Sequence, residues 1–153
     1  MPLTLTSTAF ADNEFFPIQY TCDGDNISPP LKWSEVPEGT AELVLIFEDP
    51  DGPGGTQVYW VLYGLDPATG GIEEGKVPAS AVGGKNDYGR TDWAGPCPPY
   101  GFDRPHRYIF TLLALSEHSG LTEGASPRND LPYALSGKVL AQAQLTGKYA
   151  RRR

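Results

Sequence analysis

The chain is poor in the residues that build metal and thiol sites. Its 153 residues include two cysteines, two histidines and one methionine. Cys22 and Cys97 lack the CxxC spacing of a structural zinc site, so no metal is expected from them. In a reducing compartment both are expected as free thiols, with Cys97 enclosed by prolines and structural; a disulfide between them is the alternative. Basic charge is scarce as well. The net charge is −7, and the one cluster of cations is the terminal "RRR". Affinity for a nucleic-acid backbone rests on clustered Lys and Arg, so that partner is excluded. No apolar run approaches the roughly 18 residues that span a bilayer. The opening "MPLTLTSTAF" has neither a basic region nor a hydrophobic stretch, so no secretory signal and a cytoplasmic location are expected. The sequon "NIS" at Asn26 is discounted with it.

Familiar catalytic signatures are missing too. There is no G-x-S-x-G elbow. "GGKN" lacks the upstream glycine and the hydroxyl residue of a P-loop. A calcium loop begun at Asp49 would need an acid where Trp60 stands. Helical periodicity is also scarce.

What the chain does have is punctuation. Eighteen glycines and fifteen prolines break it into short β-rich runs. That pattern predicts a mostly β fold, a two-sheet β-sandwich with one or two short helices near the C-terminus. Residues 1–150 read as a single domain and 151–153 as a basic tail. Strands are expected at 3–8, 31–37, around Leu43–Phe47, at 57–65, at 105–116 and along "KVLAQAQLTGKY". The uninterrupted apolar run Leu43–Phe47 marks a central strand buried on both faces. A helix is expected over 127–136, capped by Asn129 or Asp130 and stopped by Gly137. The Gly-rich stretch 66–95 reads as one long structured loop, a frequent place for function.

Two strand ends carry the chemistry. In "PHRYIFTLLALS", side-chain alternation puts His106 and Tyr108 on the face of Phe110 and Leu112, with Arg107 opposite. In "EDPDGPGG", Pro50 ends the buried strand between Asp49 and Asp51. Aspartates around a proline serve turns by accepting backbone N–H bonds, and they equally serve a pocket. Both readings stand for this pair. His118, in the polar turn "SEHSG", reads as solvated.

The stretches "YTCDGDNISPPLKWSEVPEGTAELVLIFEDPDGP", "GPCPP" and "PHRYIFTLLAL" together resemble the phosphatidylethanolamine-binding protein family, in its bacterial and archaeal Raf-kinase-inhibitor-like branch. The resemblance runs from about residue 3 to 150. It implies a large sheet packed on a smaller one, with an anion-binding pocket at one end. By motif, the pocket would use Asp49, Asp51, the backbone of Gly95, Pro96, Cys97, Pro98 and Pro99, and His106 and Tyr108. Two departures stand out. Tyr59 occupies the place of a family histidine, and "YGFDR" is one residue longer than the family loop, which makes Phe102 and Arg104 candidate specificity residues.

The implied function is a small-anion or phospho-ligand-binding regulatory module without cofactor. Its ligand is anionic or zwitterionic, phosphate or phosphoethanolamine-like, and a kinase or protease is a candidate protein partner, with a homodimer as a further candidate. An enzyme on a small phosphorylated or carbonyl substrate is the alternative, and a protease or kinase inhibitor a further one. Two carboxylates beside a phosphate need explaining, since like charges about 4 Å apart cost roughly 4 kcal/mol at an effective dielectric near 20. An imidazolium at His106, inward N–H groups of the proline-rich loop, or a ligand ammonium would each relieve that cost.

Overall fold

The computed structural model describes residues 2–99 and 104–151. Two sheets face each other. The smaller has strands β1 (Thr4–Thr6), β3 (Leu31–Ser34) and β6 (Gly71–Ile72) in the order β1-β3-β6. The larger has β2 (Glu14–Phe15), β4 (Glu42–Asp49), β5 (Gln57–Leu65), β7 (Val82–Gly83), β8 (His106–Leu115) and β9 (Val139–Tyr149) in the order β2-β9-β8-β4-β5-β7. Its pairs are antiparallel except β2 with β9. Among the described residues, no helix is long and apolar enough to cross a membrane.

The expected central strand is β4, between β8 and β5. Leu43, Leu45 and Phe47 point into the core between the sheets. Val44 points to the other face, where Val61, Leu113 and Leu131 form a second apolar cluster. A sheet covered on both faces at its middle requires such a continuous apolar strand. The inter-sheet core is rich in rings. Phe47 lies 4.1 Å from Phe110 and 4.8 Å from Trp93, centre to centre, in stacked geometry. Such pairs are each worth about 0.5–1.5 kcal/mol beyond the area they bury.

Three sequence expectations change. The helix is α1 (Leu131–Leu135), five residues rather than ten. Residues 127–130 form turns, in which Asp130 Oδ2 accepts the Ser126 N–H at 2.8 Å, and Pro132 sits in the first helical turn. Stretch 66–95 is not one loop. It contributes β6 to one sheet and β7 to the other. Two-residue strands carry too little alternation to be seen in sequence. Finally, Cys22 and Cys97 form a disulfide across 75 residues, not two free thiols.

Candidate functional site

The site grows from one stripe of side chains. On β4 the inward series Leu43, Leu45, Phe47 ends in Asp49, which is 1% exposed. On β8 the matching series begins at His106, 6% exposed, and continues through Tyr108, Phe110 and Leu112. The antiparallel register pairs Glu48 with Ile109, so the end of one stripe meets the start of the other. His106 Nδ1–H donates to Asp49 Oδ2 at 2.7 Å. Asp49 Oδ1 accepts the Asp51 N–H, also at 2.7 Å. One carboxylate thus closes the turn around Pro50, the structural reading of Asp49, and also orients the imidazole.

Asp51 behaves differently. Both its oxygens face Arg107, with Nε at 3.0 Å and Nη2 at 2.9 Å, and it accepts the Arg107 N–H at 2.9 Å. Arg107 points away from the core, as alternation requires, and takes Asp51 with it. The awkward pair of carboxylates is therefore split: one is bound to an imidazole, the other to a guanidinium.

The Arg107 hydrogen bonds hold the Asp51 carboxyl below its ordinary value, burial opposing them. Arg128 does the same for Asp87, through Nε at 3.1 Å and Nη2 at 2.7 Å. A carboxyl lowered in the folded state contributes stability that is complete above the unfolded value, near pH 4, and is lost as pH falls through the folded one. Unfolding midpoints measured from pH 7 down to pH 2 should therefore stay level and then drop below about pH 4. Arg107→Ala and Arg128→Ala should each flatten that drop. An unchanged acid slope in both variants would show that these pairs do not contribute.

Tyr59 enters the site through a β-bulge. Phe47 pairs with Trp60 and Glu48 with Val58, so Tyr59 is the extra residue of β5. The bulge lets neighbours Tyr59 and Trp60 both face the inter-sheet core, which a regular strand forbids. The Tyr59 and Tyr108 rings lie 5.6 Å apart, nearly perpendicular, and Tyr88 lies 5.6 Å from Tyr59 on the outer side. Burial pushes both Tyr59 and Tyr108 hydroxyls far above their ordinary value, with the nearby Tyr88 adding for Tyr59, and Tyr59 and Asp49 for Tyr108. Both stay protonated as neutral donors. The buried Tyr108 hydroxyl has no hydrogen-bond partner among the described residues.

The proline-rich wall is held, but not as an amide nest. Three of residues 95–99 are prolines without an N–H. Gly95 N–H donates to Asn26 Oδ1 at 2.9 Å. Within residues 95–99 only the Cys97 amide is left as an inward donor; residues 100–103 of the loop lie outside the described residues. The wall is pinned from behind. The disulfide joins Cys97 to Cys22, and the Cys22 N–H donates to the Pro96 carbonyl at 3.2 Å. A Cβ at Gly95 would collide with the Tyr20 carbonyl oxygen and Asn26 Oδ1, so glycine alone allows this approach. Behind the disulfide, Tyr149 donates to Asp23 at 2.5 Å and Arg151 Nη2 pairs with Asp23 at 3.1 Å. Tyr149 is also the β9 residue paired with His106.

Arg104, Pro105, His106, Arg107 and Asp51 line an open depression of about 500 Å³. Arg104 is exposed on its rim. Phe102 lies outside the described residues. Sequence reasoning missed Asn86, a 4% exposed organiser of the 84–92 loop. Its Nδ2 donates to the Tyr59 and Asp92 carbonyls, and its Oδ1 accepts from Tyr88 and Arg90. The only sequence signal was its place in "GGKNDYG".

Residues 6–150 match the family described as phosphatidylethanolamine-binding protein. A UPF0098 protein of Aquifex aeolicus is 47% identical, over 95% of this chain and 86% of that one. Another UPF0098 protein, of Methanothermobacter thermautotrophicus, is 43% identical, over 97% and 99%. Among solved structures, a phosphatidylethanolamine-binding protein homolog from Chlamydia trachomatis superposes with a TM-score of 0.91 at 38% identity, covering 98% of each chain. YbcL of E. coli, described as a member of the mammalian family, gives 0.89 at 30% identity, covering 98% of this chain and 99% of its own.

Proposed function

Because the chain belongs to the phosphatidylethanolamine-binding protein family, we propose that it binds a small anion or phospho-ligand at the end of β4 and β8. One observation carries the reading. Among the described residues, the buried Tyr108 hydroxyl has no hydrogen bond of good geometry and only the neighbouring Tyr59 hydroxyl to interact with, beside a buried Asp49–His106 pair. A buried donor without a partner costs about 1–3 kcal/mol, and a ligand oxygen would remove that cost. The Asp49 bond fixes the imidazole so that its Nε2 edge turns away from Asp49. Arg104 stands exposed on the rim of the depression as a cation that attracts an anion, whereas the Arg107 guanidinium is already matched by Asp51. The bulged Tyr59, in the place of a family histidine, favours a ligand that stacks on or donates to a phenol.

Pocket walls held by prolines and a disulfide limit the ordering entropy that binding must overcome. The same disulfide supports an oxidising working environment over a reducing cytosol.

Calorimetric titration with inorganic phosphate, phosphoethanolamine and acetate tests the proposal. His106→Ala should weaken the phosphate-containing ligands at least tenfold, about 1.4 kcal/mol, and Tyr108→Phe by a smaller factor. If no ligand binds at millimolar concentration, the proposal is wrong. Phosphoethanolamine binding well above phosphate would identify a zwitterion whose ammonium reaches a carboxylate.

A further inference from the structure

A second cleft, of about 540 Å³, lies on the β5–β7 flank of the larger sheet. It shares no lining residue with the depression beside His106. Its volume falls within the range of about 300–1,000 Å³ usual for small-molecule sites. The floor is indole. Trp60 of β5 is 1% exposed, and Trp93 stands perpendicular to it, ring centres 5.2 Å apart. Phe47 stacks on Trp93 at 4.8 Å, so the rings are fixed from the core side. Leu62 and Val82 extend this apolar wall.

The remaining lining is polar and is held by backbone bonds. The Gly75 N–H donates to the Ser28 carbonyl at 2.9 Å, and Asn86 Nδ2 donates to the Asp92 carbonyl at 3.2 Å. A Cβ at Gly83 would collide with the Thr91 carbonyl oxygen, so glycine lets β7 lie against this segment. Ser28 is 5% exposed, yet its hydroxyl makes no hydrogen bond among the described residues. The Thr91 hydroxyl and the Asn26 Nδ2 donors are unpartnered there as well, while Asn26 Oδ1 is taken by the Gly95 N–H. Two carboxylates complete the lining. Arg90 engages both oxygens of Asp92, at 2.9 and 2.6 Å. Exposed Glu123 makes no ion pair among the described residues, and no Lys or Arg among them lines the cleft.

This chemistry rejects most ligand classes. A phosphate or carboxylate would face Glu123 and Asp92 with no lining cation to receive it. A purely apolar molecule would bury the Ser28 and Thr91 hydroxyls without partners. An organic cation would use Glu123 and leave the neutral groups unpaired. A sugar meets all of them. Its hydroxyls donate to a carboxylate, accept from an amide and exchange bonds with hydroxyls, while its C–H face packs on an indole. We propose that this cleft is a carbohydrate site, taking an uncharged mono- or disaccharide whose hydroxyls bond to Asn26, Ser28, Thr91 and Glu123 and whose ring lies on Trp93. The site is independent of anion binding beside His106, because neither shares a lining side chain with the other.

The test follows backbone amide shifts of the full chain by NMR as glucose, N-acetylglucosamine or cellobiose is added. At millimolar concentration at least one of them should move the amides of Gly75, Thr91 and Trp93 and leave those of His106 and Arg107 in place. Saturation with inorganic phosphate should leave these shifts unchanged, so a failure of anion binding and a failure of this site are told apart. Ser28→Ala, Thr91→Val and Glu123→Ala should each raise the sugar dissociation constant about fivefold while keeping the wild-type thermal midpoint. If none of the three sugars moves these amides at high millimolar concentration, the proposal is overturned. It is overturned equally if all three variants bind like the wild type, or if benzylamine binds at these amides more tightly than every sugar, which would assign the cleft to a cation.

Discussion

Asp49→Ala should lower the unfolding free energy by about 3–5 kcal/mol and abolish anion binding. Both oxygens of this 1% exposed carboxylate are in use, one closing the turn after β4 and the other holding His106 at 2.7 Å. Removing it strands the imidazole at a buried position and frees the chain at Pro50. For a chain of this size that corresponds to a fall of about 10 °C in the thermal midpoint. Asp49→Asn separates stability from function. Asparagine keeps the volume and can still accept the Asp51 N–H, so it should cost only about 1–2 kcal/mol. Its amide would present a donor to Nδ1 and so change the tautomer of His106. Phosphate affinity should fall in Asp49→Asn although the fold survives. If Asp49→Asn binds phosphate like the wild type, the pair does not orient the ligand, and the depression beside Arg104 and Arg107 acts alone.

Reduction of the Cys22–Cys97 disulfide should cost about 4 kcal/mol, because it releases a loop of about 75 residues in the unfolded chain. Thermal unfolding with and without a dithiol reductant should differ by about 10 °C. The double variant Cys22→Ser and Cys97→Ser should melt at the reduced midpoint and ignore the reductant. The effect should reach the site as well, since Cys97 sits in its wall and Cys22 sits one residue from Asp23, the partner of Tyr149 and Arg151. Weaker phosphate binding in the double variant, below its own melting range, would show that the wall is held by the disulfide. The Gly95–Asn26 and Cys22–Pro96 hydrogen bonds remain, so a partial loss is expected, not an abolished site. Equal midpoints with and without reductant would mean that the bridge adds nothing to stability.

These two residues show where reading the sequence succeeds and where it stops. Asp49 and His106 were legible because each stands at the end of a strand read from local pattern, Asp49 after the uninterrupted apolar run Leu43–Phe47 and His106 at the start of an alternating one. Proline at 50 marked where the first of these strands could not extend. The same parity placed Arg107 outward. It could not say that Asp51 would follow Arg107, because that depends on the β4–β8 register. The cysteines were misread for a related reason: 75 residues of intervening chain carry no record of their approach. The proline-rich stretch gave no sign that its Gly95 amide would face Asn26, a residue of a different loop.

By itself, then, the sequence determined the class of the fold, the central strand and the two strand ends that bear the polar groups. Each follows from interactions between near neighbours along the chain: side-chain alternation, the fixed φ of proline, the freedom of glycine. Only the tertiary structure decided how Asp49, Asp51, His106 and Arg107 divide into two hydrogen-bonded pairs, that a bulge turns Tyr59 into the site, and that Cys22 reaches Cys97. Those outcomes depend on strand register and loop closure, where segments far apart in sequence compete for the same partner, and the winner is set by packing the whole chain at once.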